Sequence, residues 1–228
     1  MTELALAAAF FLGTHLGISG TPLRSLLVTR IGETVYLLLY AAVSLYAISW
    51  LADAYKAAPY IETWGQIYAL RPLALVVMFF AFLFVVIGLT TPSPTLVGAE
   101  SLARRRDAVR GVLRITRHPF LSGVALWAAI HLVINGDLAA TILFGALLIL
   151  AVLGAVSIDH KRADKLGADW LEFAARSSAM PFLAIIQKRN QFRLAELGWW
   201  RIALAIIAFA AMLHFHAPLF GISPLPAW

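Results

Sequence analysis

The sequence predicts an all-α, polytopic membrane protein with six transmembrane helices and both termini outside the cytoplasm. Three observations predict it. Hydrophobic residues make up 61% of the 228 and charged residues only 13%. A soluble domain has about 45–50% and about 25%, so polar side chains are too scarce here to cover a soluble core. Apolar runs close to the roughly 20 residues that a bilayer core requires recur along the chain, and mean hydropathy is +0.84. Lysine and arginine fall almost wholly in alternate loops between those runs. The same composition excludes disorder and a collagen-like fibre. The absence of cysteine excludes disulfides, structural zinc, iron–sulfur clusters and thiol catalysis.

The runs occupy residues 4–19, 35–52, 72–91, 120–135, 138–158 and 199–214. The first has no Lys or Arg before it, unlike the basic start of a signal peptide, and is expected to be an uncleaved helix entering from outside. Its end is marked by Pro22, that of the second by Pro59, and that of the third by Pro92 and Pro94. Asn135-Gly136-Asp137 turns the fourth run into the fifth, and Gly198 precedes the sixth. The period-2 alternation of a lipid-facing barrel is missing, as are internal repeats and long linkers, so one domain covers residues 1–228.

Charge sets the orientation. Loops 20–34, 92–119 and 159–198 carry 2, 6 and 7 Lys/Arg, and Arg201 lies on the same side. The other side holds only Lys56 and Arg71. Cytoplasmic loops carry the basic excess, which predicts that these three loops lie inside and both termini outside the cytoplasm. The net charge of +6 then points to lipid headgroups as partner, not nucleic acid. In loop 159–198, Leu166, Trp170 and Phe173 recur at helical spacing among Lys161, Arg162, Lys165 and Arg176. That pattern predicts an amphipathic helix on the cytoplasmic leaflet. Trp199 and Trp200 suit the aromatic belt.

Six histidines are the candidates for chemistry: His15, His118, His131, His160, His214 and His216. His15 and His131 lie within apolar runs, where an imidazole needs a partner. Two readings stay open for them. Each could bridge helices by a hydrogen bond, or the pair could ligate one haem iron from facing helices. Gly13 and Gly17 beside His15, with Ala125, Ala128 and Ala129 before His131, suit either a macrocycle or close helix packing. Their Cα heights differ by roughly 10 Å at the helical rise, so helix tilt, or an entry of Arg117-His118-Pro119 deep into the membrane, has to bring the rings to one metal.

Arg114, Arg117 and His118 precede Pro119, which suits a first helical turn. They form either a capped helix start or a cationic pocket for a phosphate, a propionate or another carboxylate. Asp159-His160-Lys161-Arg162 reads as charges leaving the bilayer at a solvated helix end. His214 and His216, two residues apart, face different sides of their helix and do not suit one metal. No nucleotide loop, nucleophile elbow or paired-carboxylate site is present.

The stretch RITRHPFLSGVALWAAIHLVINGD at 114–137 resembles the hallmark of the NnrU family, bacterial membrane proteins linked to denitrification and nitric-oxide metabolism. THLGISGTPLR at 14–24, TTPSPTLVG at 90–98 and DHKRADKLGADWLEFAARSSAMPFLAII at 159–186 extend the resemblance over most of the chain. The related 15-cis-ζ-carotene isomerases bind haem b, and their ligand motifs match at His15 and His131. The resemblance therefore implies axial ligation by these two residues. It also implies a cationic site of His118, Arg114 and Arg117 on the cytoplasmic side, for a haem propionate, and either a link to nitric oxide or redox-gated isomerisation of a lipophilic substrate. With both axial positions filled, nitric-oxide sensing or isomerisation would require one histidine to leave the iron. The isomerases' further histidine after the second helix has no counterpart in Leu51-Ala52-Asp53-Ala54. A more distant similarity, through Arg117-His118-Pro119, is to isoprenylcysteine and phospholipid methyltransferases. It implies S-adenosylmethionine as an alternative cofactor, although Asp159-His160 and Glu172 replace that family's paired glutamates. A non-catalytic accessory role is the third reading.

Overall fold

The computed structural model describes residues 1–225, and these are predominantly helical. Among them no strand forms, and one isolated bridge joins Glu62 to Asp137. Helix α1 (Thr2–Leu12) runs into a π-turn at Gly13–Ile18 and then bends by 76° into α2 (Leu23–Ile31). α3 (Glu33–Ala57), α4 (Arg71–Thr90), α5 (Pro119–Asn135) and α6 (Leu138–Leu166) follow. The chain ends in the short α7 (Ala168–Arg176) and α8 (Leu183–Ile186), then α9 (Trp199–Phe220). Among the described residues four helical stretches are long and apolar enough to cross a membrane: α3, α4 with its leading turn, α6 and α9. The bent α1–α2 pair is a fifth candidate, and α5 is apolar but shorter.

Small residues let these helices approach, as expected where lipid removes the hydrophobic drive between them. Leu4, Ala7, Ala8 and Phe11 of α1 pack with Ala47, Leu51 and Ala54 of α3, Ala128 of α5, and Ala140 and Phe144 of α6. α4 meets α5 through Gly88 and Gly123. A methyl at Gly88 would lie 2.7 Å from the Phe120 nitrogen, and one at Gly123 would lie 2.7 Å from the Ala81 carbonyl oxygen. α9 packs on the other side of α4, with Phe209 against Phe79 and Phe82.

The two ends of the bundle differ. At one end residues 58–67 lie on the α5–α6 turn: the Thr63 and Gly65 amides donate to Gly136 O, and the Leu138 amide donates to Ile61 O. Asp137 Oδ1 accepts from the Ala140 amide at 2.9 Å and caps α6, a contact that stabilises by about 1 kcal/mol. At the opposite end the three basic segments meet. Lys161 Nζ donates to Ser19 O at 2.9 Å, and Arg162 Nη2 donates to Leu96 O at 2.9 Å.

Two expectations need correction. α6 continues eight residues beyond its predicted end, so Asp159 lies within the helix, where its carboxylate is held by protein. The apolar stripe of α7 does not rest on lipid. Phe173 is 0% and Trp170 2% exposed, packed against Ala103, Ala108 and Val109 of the 92–119 loop. An apolar stripe is satisfied equally by acyl chains or by protein, and here the neighbouring loop covers it.

Candidate functional site

His15 sits inside the π-turn Gly13–Ile18. π-turns account for well under 1% of residues and concentrate at functional sites. Thr14 supports the widened turn by donating from Oγ1 to Phe10 O at 2.9 Å. His15 Nδ1 lies 2.8 Å from Phe11 O. A carbonyl only accepts, so Nδ1 donates, and in the neutral ring Nε2 is then the nitrogen with the lone pair. Methyls placed on Gly13 or Gly17 would meet nothing within 4 Å, because both glycines are exposed on the outside of the turn. Tyr40 of α3 stands edge-on to it at 5.7 Å. Tyr36, Tyr40 and Ser44 share one face of α3 by their spacing of four. Tyr36 Oη and Ser44 Oγ are buried there without a hydrogen-bond partner.

His131 repeats the arrangement near the other end of the bundle. Its Nδ1–H donates to Trp127 O at 2.9 Å, which in the neutral ring again makes Nε2 the lone-pair nitrogen. The ring lies 4.9 Å from Phe144 of α6 and 5.8 Å from Trp127. Metal-ligating histidines characteristically spend one nitrogen on a carbonyl or carboxylate, which orients the other. Both residues therefore fit haem-iron ligation by donor chemistry.

α6 provides a ruler for their separation. The His131 ring lies against Phe144, while Gly20, five residues after His15, lies beside Ser157. At 1.5 Å per residue the Cα atoms of His15 and His131 differ in height by roughly 12 Å. Neither ring has the other among its aromatic or hydrogen-bonding neighbours. α1 runs parallel to α6 and α5 antiparallel to it. Side chains lean toward their helix N-terminus, so the two rings lean toward each other across the gap.

The predicted cationic pocket is not a free positive site. His118 is 3% exposed and its Nε2 lies 2.7 Å from Asp159 Oδ1. Arg117 forks onto the same carboxylate, with Nε 3.0 Å from each oxygen and Nη2 closer still on Oδ2. Thr116, also buried, holds the segment by donating from Oγ1 to Ala179 O and accepting from the His118 amide. Arg114 turns elsewhere, bidentate on Glu196 at 2.7 and 3.0 Å. Hydrogen bonds from Arg114 and the Gly111 amide, with the charges of Arg114 and Arg193 nearby, hold the Glu196 carboxyl at about 2. Each of the two arginines is thus matched by a carboxylate on a different segment. His160 is exposed. His216 donates from Nδ1 to Ile222 O at 2.7 Å, and His214 has no part in that contact.

A family model described as NnrU protein matches residues 3–224. The chain belongs to the NnrU family. Among curated proteins it is 32% identical over 80 residues to the chloroplastic 15-cis-zeta-carotene isomerase of Arabidopsis thaliana, covering 35% of this chain and 22% of that protein. Its likeness to the Zea mays enzyme of the same name is 32% over 81 residues, covering 36% and 22%. The NnrU chain therefore spans about a fifth of the length of these relatives. No solved structure matches it.

Three parts of the site lie outside the sequence reading. Asp159 joins Arg117 and His118 across more than 40 residues, with no local spacing to announce it. Tyr36, Tyr40 and Ser44 could have been found from their i, i+4, i+8 polarity in an apolar helix. The paired glycines around His15 were visible, but the π-turn that they accompany was not.

Proposed function

We propose that this NnrU-family protein binds haem b through His15 and His131 and rearranges a double bond of a lipophilic substrate, the class of reaction named in its carotene isomerase relatives. The observation that carries the reading is His15 in a π-turn, its Nδ1 spent on a carbonyl and its Nε2 in no protein hydrogen bond among the described residues. His131 supplies the matching donor. Haem b, when bound, supplies one-electron redox chemistry. The chain's own residues orient the two imidazoles through Phe11 O and Trp127 O. Phe144, Trp127 and Tyr40 keep water from the rings. A link to nitric oxide or denitrification belongs to the same reading.

The topology that accompanies it is six spans, with α1 and its π-turn as the first and α5 as a short one. Both termini lie outside the cytoplasm of a bacterial inner membrane. Support comes from 16 of 18 Lys/Arg on the end where segments 20–34, 92–119 and 159–198 gather. The S-adenosylmethionine alternative gains no support, because Asp159 already takes both Arg117 and His118.

The test is an absorption spectrum of the detergent-purified protein, oxidised and reduced, beside His15→Ala and His131→Ala. A Soret band with split reduced bands, lost in both variants, is the expected result. A nitric-oxide-induced shift of that band would support the nitric-oxide link. Extracts of cells accumulating 15-cis-ζ-carotene, with and without the protein, test the isomerisation by chromatography. A colourless protein after haem is supplied during expression overturns the haem reading.

A further inference from the structure

A groove of about 970 Å³ opens at the basic end of the bundle, between the 106–114 segment, the 188–198 segment and the start of α9. Its lining holds eight Lys/Arg against two acids, Asp107 and Glu196. Both acids are already engaged, Asp107 by Arg105 and Arg110 and Glu196 by Arg114 and Arg193. Among the described residues Arg106, Lys188, Arg189 and Arg201 make no ion pair with a carboxylate. Arg201 Nε and Arg176 Nε are buried with no hydrogen-bond acceptor at all, although a guanidinium N–H out of water ordinarily finds one. Lys188, in the same wall, takes φ +57 as the left-handed residue that closes α8, where the Arg189 amide donates back to Ala184 O.

Concentrated positive charge, unspent guanidinium donors and a concavity of small-molecule size describe an anion site. We infer that the groove binds a phosphate-bearing anion, with a membrane lipid's phosphate headgroup as its source. Phosphate oxygens suit guanidinium donors in geometry and charge. The rim points to lipid. Trp199, 81% exposed, and Trp200, stacked under Arg201 at 4.8 Å, stand at the mouth, with Leu194 and Ile186 exposed nearby. Indole rings favour the headgroup level of a bilayer, which places the groove where phosphates lie and aims the neighbouring apolar side chains at acyl chains.

The experiment titrates the full-length protein in neutral detergent with dioctanoyl phosphatidate, inorganic pyrophosphate and dioctanoyl phosphatidylcholine, read by tryptophan fluorescence. Phosphatidate is expected to bind in a salt-sensitive manner and to be displaced by pyrophosphate, with phosphatidylcholine weak. Arg201→Gln and Lys188→Gly each weaken binding about tenfold, and Arg30→Gln, on a separate basic segment, leaves it unchanged. Glycine accepts the positive φ freely, so lost binding in Lys188→Gly does not arise from unfolding. Pyrophosphate binding without phosphatidate binding overturns the lipid source. Binding of neither anion, or equal weakening by Arg30→Gln, overturns the site.

Discussion

Glu196→Gln tests whether the Arg114–Glu196 pair locks the last loop onto the 111–114 turn. The Glu196 carboxyl falls from its ordinary 4.5 to about 2 in the folded protein. At 1.36 kcal/mol per unit that is at most about 3.4 kcal/mol. The side chain remains 27% exposed, so solvent screening reduces the figure to about 1.5 kcal/mol. A carboxyl depressed on folding contributes stability that is present above its unfolded value and is lost as pH falls through the folded one. The penalty of Glu196→Gln is therefore expected at about 1.5 kcal/mol at pH 7, and at roughly two-fifths of that at pH 3. Denaturant unfolding in detergent, followed by tryptophan fluorescence at both pH values, measures it. A penalty that is the same at pH 7 and pH 3, or absent at pH 7, refutes the reasoning.

Three further perturbations address other parts of the fold. Asp159→Leu strands Arg117 in a site where both side chains are about 15% exposed, and loss of one partner of a buried pair costs about 3–5 kcal/mol. The Arg117→Met/Asp159→Leu double variant should recover most of it, and an equally unstable double variant in the same unfolding assay would contradict the pairing. Phe173→Ala should cost about 3–5 kcal/mol and expose 168–176 to limited proteolysis, because α7 is packed on protein. Unchanged proteolysis would mean that lipid covers it. Gly136→Ala combines a φ of +63 with a methyl that would lie 1.9 Å from Gly65 O. Its cost should exceed the roughly 1–2 kcal/mol of left-handed backbone alone. Hydrogen exchange at the Thr63 and Gly65 amides should accelerate as residues 58–67 lift off.

How much was legible in the sequence follows the range of the interaction that decides each feature. Spans are set by local composition, so α3, α4, α5 and α9 begin within two residues of the apolar runs that announce them. The turn at Gly136 and the break before Trp199 are equally local. α6 outran its apolar segment because helix propagation needs no apolar residue: Asp159 and Arg162, one turn apart, both find partners in the 92–118 loop. Nothing within a few positions of Asp159 reveals that loop, so a charge run that reads as solvated became the most tightly bonded part of the basic end. Arg114 and Arg117 mislead in the opposite way. Three residues apart, they suggest one pocket, yet the chain turns between them at Ile115-Thr116 and sends one guanidinium to Glu196 and the other to Asp159.

The histidines combine both ranges. That His15 and His131 each need a partner follows from their apolar setting alone, and each takes the carbonyl four residues back on its own helix. That local bond leaves each ring with one spare donor atom. It cannot specify where the two spare atoms lie relative to each other, which depends on how α1 and α5 seat against α6. Their roughly 12 Å offset in height is therefore tertiary information. A single iron between them requires the rings to converge along the direction in which they already lean. The His15→Ala and His131→Ala spectra separate the outcomes. Loss of the cofactor in both variants means that the helices close that distance on binding. Loss in only one means that its partner histidine serves packing alone.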